Sequence, residues 1–102
     1  MTNRIYTENK KMNQMIDAVA SWMYCEGIKN TNYGTWNFNF DDIIEGLGEA
    51  LNITKSDLII YFDYIVEELE SYYGIAEVDA ILRSDNEGYF DITYYTGYCG
   101  LV

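Results

Sequence analysis

The sequence predicts a small α+β domain in which a three-helix core carries a short strand and a C-terminal β-hairpin. Three observations lead there. Apolar residues recur at helical spacing over three stretches before residue 74, and they alternate at period two in TWNFNF and again on both sides of SDNEG. A chain of 102 residues that is 49% hydrophobic can bury one core without a second domain. Residues 1–102 therefore read as a single domain, with 1–9 and 97–102 as peripheral tails.

The first helix is expected to begin after Thr7, because Met12, Met15, Ile16, Val19 and Met23 recur three and four apart, and Gly27 offers a left-handed stop. Methionines at that spacing fill a core. KNTNYG is a polar turn. Trp36, Phe38 and Phe40 then alternate with Asn37 and Asn39 as in a half-buried strand. Trp22 and Trp36 are core or core-edge aromatics, and whichever lies more open is available to an interface.

DDIIEGLGEAL forms a second helix capped by Asn39 or Asp41, with Ile43, Ile44, Leu47 and Leu51 inward. Gly46 and Gly48 each weaken it by about 1 kcal/mol relative to alanine. After the connection NIT, TKSDLIIYFDYIVEELESYYG is a long helix capped by Thr54 and ended by Gly74. Its buried side is Leu58, Phe62, Ile65, Val66, Leu69 and Tyr72 or Tyr73. Val78, Ala80 and Leu82 alternate as in a strand, although residues 76–83 also suit a short helix. SDNEG turns the chain, and Phe90, Ile92 and Tyr94 alternate in the last strand.

Lys and Arg number 6 against 17 Asp and Glu, a formal charge of −11, which opposes contact with phosphate backbones and anionic lipid. The acidity lies late: residues 41–102 hold 14 acids against Lys55 and Arg83. There is no histidine, which excludes His-dependent triads and zincin motifs. Cys25 and Cys99 belong to no C-x-x-C pair and read as reduced, partly buried thiols. RSDNEGYFDITY fails as a calcium loop, because Arg83 and Tyr94 stand where Asp and Glu are required. No catalytic, cofactor or metal residues are assigned, and an enzyme is not expected. The polar N-terminus lacks the apolar stretch of a signal peptide, and the longest apolar run, LIIYF, is too short to span a bilayer, so the expectation is a cytoplasmic protein without a membrane partner.

The order helix, strand, helix, tight turn, helix, hairpin resembles the winged-helix family. TWNFNF would pair with the wing strands, DDIIEGLGEALNITKSDLIIYFDYIVEEL would be the helix-turn-helix and SDNEG the wing tip. The resemblance covers roughly residues 10–96 and rests on element order and hydrophobic phase. It implies that TKSDLIIYF opens a recognition helix with Lys55, Ser56, Asp57 and Ile60 outermost. Only Lys55 is basic there, and the wing tip offers Asp85 and Glu87 where phosphate contacts need cations, so no direct nucleic-acid contact is expected.

Asp63, Glu67 and Glu70 stand at i, i+4 and i+7 of the long helix, and Asp41, Glu45 and Glu49 at i, i+4 and i+8 of the preceding one. Neighbouring like charges cost a helix about 0.2–0.5 kcal/mol per pair, and no lysine relieves either row. Tyrosines accompany them, and exposed tyrosine favours interfaces. In size, acidity and richness in Asn and Tyr, the chain looks like small phage-encoded anti-defence proteins, including anti-restriction and anti-CRISPR inhibitors that act as DNA mimics. That likeness implies a non-enzymatic inhibitor in the host cytoplasm, docked on a basic nucleic-acid-binding effector. The expected contacts are Asp57, Tyr61, Asp63, Tyr64, Glu67, Glu68 and Glu70 on the helix and Asp85 and Glu87 on the wing. The alternatives are a winged-helix transcriptional regulator using Arg4, Lys10, Lys11 and Lys55, and an adaptor subunit that self-associates, as a homodimer for instance, through its tyrosines. An acidic face that only keeps the chain in solution is the plainest alternative.

Overall fold

The computed structural model describes residues 10–31 and 34–94; the expected tails, with Arg4, Tyr95 and Cys99, lie outside the described residues. Helix α1 (Lys10–Thr31) carries the predicted apolar stripe inward, with Met15, Ile16, Val19 and Met23 buried. It does not stop at Gly27. The Tyr94 ring lies against that glycine, where a Cβ would overlap the phenolic oxygen, and the Tyr94 hydroxyl donates to the Tyr24 carbonyl at 2.7 Å. Gly27 is therefore a close-approach residue inside the helix.

Strand β1 (Thr35–Asn39) leads into α2 (Phe40–Ile43), a π turn (Ile44–Gly48) and α3 (Glu49–Leu51), which form one right-handed run. Asn39 is its cap: its side chain accepts from the Asp42 N–H at 2.8 Å, while the Asp42 carboxylate accepts from the Asn39 N–H at 3.0 Å. Both glycines fall in the π turn, and the Trp22 ring occupies the space a Gly46 side chain would need. Asn52 ends α3 in the left-handed conformation (φ 58), and Leu51, expected inward, is exposed.

Thr54 caps α4 (Lys55–Ile60) in a second reciprocal box with Asp57. The long helix is not continuous. Tyr61 (φ −105, ψ 20) separates α4 from α5 (Phe62–Glu70), directly after the β-branched pair Ile59 and Ile60. Hydrogen bonds from Tyr61 N–H to Asp57 and from Ile65 N–H to Tyr61, both 3.0 Å, carry the ladder across the break. The helix ends at Glu70, and Gly74 (φ 91) instead turns the chain into the sheet.

Of the stretch 76–83, residues 76–82 are strand and not helix: β2 (Ile75–Leu82) forms the hairpin with β3 (Gly88–Tyr94). The antiparallel order is β1-β3-β2, with Phe38 and Ala80 both opposite Phe90 and Trp36 and Val78 both opposite Ile92. All four phenylalanines are buried where the helices cover this face, Phe62 stacking on Phe90 at 4.9 Å between centroids. Ile43, Leu58, Ile65 and Leu69 complete the core. On the opposite face Thr35 bonds Thr93 at 2.8 Å, Asn37 donates to the Asp91 carboxylate, and Asp79 stands directly across from Asp91. Among the described residues no helix is long and apolar enough to cross a membrane.

Candidate functional site

Helix α5 buries Phe62, Ile65 and Leu69, and this phase turns Asp63, Glu67 and Glu70 outward as a single exposed row. Among the described residues no cation or hydrogen-bond donor engages their carboxylates. Of the expected contacts, these three carboxylates stand exposed together and unengaged among the described residues. Tyr61 and Tyr64 flank the row, half-buried against the core, with ring centroids 6.2 Å apart.

The remaining expected contacts have other duties. Glu68, one position from Glu67, is 2% exposed and belongs to the interior, so it cannot offer its carboxylate to a partner. A helix that turns 67 and 70 outward carries 68 round to the edge of its buried side, next to Tyr61 and Tyr64 in phase. Asp57 is half-buried and spends one oxygen on the N–H and hydroxyl of Thr54, at 3.0 and 3.1 Å. At the wing, Glu87 binds Lys55 at 2.7 Å, and Asp85 accepts from the Glu87 N–H at 3.1 Å while standing 3.6 Å from Arg83.

Lys55 is the centre of this second group. Its ammonium lies 2.7 Å from Glu87 and 3.1 Å from Asp41, so it ties the wing tip to α2. The hydrogen bond to Glu87, followed by that to Asp41, raises its pKa above the ordinary lysine value. The one base at the start of α4 is thereby neutralised within the fold. Asp41 leaves the expected second row in the same way, while Glu45 and Glu49 remain exposed across the π turn.

Among the described residues no group of three or more His, Cys, Asp or Glu is placed to hold a metal ion. Cys25 is exposed, where partial burial was expected, because position 25 lies off the apolar stripe of α1. Sequence reasoning also missed a cleft in which Trp22 and Trp36 meet Glu26, Asp42 and Glu45. Its available signal was Trp22, Glu26 and Asn30 recurring every four residues beside the core stripe. Comparison with protein-family models, with curated proteins and with solved structures finds no match.

Proposed function

We propose that this chain acts without catalysis, as an acidic inhibitor that sets the outer side of α5 into the basic nucleic-acid groove of an effector protein and keeps the nucleic acid out. An anti-defence protein of the phage type, such as an anti-CRISPR inhibitor working in the host cytoplasm, has this chemistry. The observation that carries the reading is the row Asp63, Glu67 and Glu70, exposed together with no cation set against it among the described residues. Lys55, by contrast, is already held by two carboxylates.

The placement of the row on its helix adds weight. No base stands in the last turn of α5, so Glu67 and Glu70 oppose the helix dipole at about 0.3–1 kcal/mol each. Solubility alone could be had from acids near the N-terminus at no such cost. Charge-assisted bonds from arginine and lysine would recover it on docking, with Tyr61 and Tyr64 as flat neighbours.

The test is reversal of the row by Asp63→Lys, Glu67→Lys and Glu70→Lys together. Lysine suits the C-terminal positions 67 and 70 better than glutamate, while at Asp63 in the first turn it costs a similar amount, so the thermal midpoint should hold within a few degrees while the complex recovered from a host lysate is lost. The wild-type complex should dissolve at about 0.5 M salt, where surface charges are screened beyond a few ångströms. Recovery of the same partner by the triple variant would end the proposal. A winged-helix regulator is the alternative, supported by the pairing of β1 with the hairpin strand β3. A gel shift with random duplex at low salt separates the two, because only a regulator retains DNA.

A further inference from the structure

The cleft missed by sequence reasoning lies between α1, β1 and the π turn, and has a volume of about 300 Å³. Helix α1 supplies Trp22, Glu26 and Asn30, β1 supplies Trp36, and Asp42 and Glu45 close the far wall. Trp22 is held from two sides. Its ring packs on Phe38 at 5.5 Å between centroids and presses on Gly46, where any side chain would displace it. Trp36, 37% exposed, leaves an indole open at the mouth.

The carboxylates differ in what they have left to give. Glu26 pairs with Lys29 at 3.0 Å, and Asp42 uses Oδ2 in the Asn39 cap, leaving Oδ1. Glu45 is exposed and has no partner among the described residues. An open indole beside carboxylate oxygens is suited to a cation that is flat, weakly hydrated and able to donate to two oxygens at once.

We infer that this cleft takes the side chain of an arginine presented by a protein partner, its guanidinium against the indole of Trp36 and bonded to Glu45 and the free oxygen of Asp42. A phosphate-bearing ligand is repelled by the same carboxylates. A lysine ammonium has no plane to stack and holds its water more tightly. The site is separate from the row on α5, so either can fail while the other stands.

The test uses the whole chain, whose two tryptophans both line the cleft, so the two indole N–H signals in a nitrogen-labelled NMR spectrum report on it directly. A capped Gly-Arg-Gly peptide is titrated into the millimolar range at constant ionic strength, beside the matched lysine and citrulline peptides and tetramethylammonium. The expected result is a saturable shift of the Trp36 signal with the arginine peptide, several-fold weaker binding with lysine and none with citrulline. Glu45→Gln, an exposed change, should weaken the arginine peptide about fivefold. Equal response to citrulline, equal response to tetramethylammonium, an unmoved indole signal, or a shift produced by protein concentration alone would each overturn the assignment.

Discussion

Replacing Gly27 with alanine should destabilise the protein, against the usual direction for a glycine inside a helix. At an open helical site the change gains about 1 kcal/mol from helix propensity. Here the new methyl would overlap the Tyr94 hydroxyl and lie 3.0 Å from Cε1 and Cζ of the ring. Tyr94 is buried and anchored to the Tyr24 carbonyl at 2.7 Å, so it cannot swing clear without moving β3. Overpacking of this kind costs about 1–3 kcal/mol, and a strained or lost hydrogen bond about 0.5–1.5 kcal/mol more. The balance is a loss of about 0.5–3.5 kcal/mol. Urea unfolding followed by circular dichroism measures it, with Tyr94→Phe and the double variant completing a cycle. Since the phenolic oxygen is the nearest atom, the double variant should be more stable than the sum of the single changes allows. A Gly27→Ala protein as stable as the parent, or strict additivity with Tyr94→Phe, would refute the contact as the reason for the glycine.

Two further outcomes follow from the caps and the wing. Thr54→Ala removes the acceptor for the Asp57 N–H and should lower stability by about 1 kcal/mol in the same assay, while Thr54→Ser should retain it. Lys55→Met tests the link between wing and α2: because the folded pKa is raised, the lysine's contribution is whole below its ordinary value of 10.5 and is lost as pH rises through the folded value. The stability difference between parent and variant should therefore be flat between about pH 7 and 9 and shrink in more alkaline solution.

Much of the fold was legible because its signals are local. Asn39 and Thr54 announce their caps by residue type and by the acid three positions on, and Phe90, Ile92 and Tyr94 announce a strand by strict alternation. What escaped depends on contacts distant in sequence. Gly27 resembles a stop until Tyr94 is set against it, and Gly46 resembles a flaw until Trp22 fills its place. Glu68 and Glu67 differ by one step of helical phase, and only the neighbours packed on α5 decide which is interior. The row on α5 could be read from spacing alone. The arginine cleft could not, since it assembles from α1, β1 and α2.

The open strand β2 has a bearing on how the molecule meets others of its kind. Sheet order leaves one side of β2 without a neighbouring strand among the described residues, and such rims seed fibres by strand addition. Two copies aligned there in antiparallel fashion about Val78 would bring each Glu77 against the other's Asp79, with Asp91 one strand away. Mutual repulsion at that seam opposes stacking of the chain upon itself.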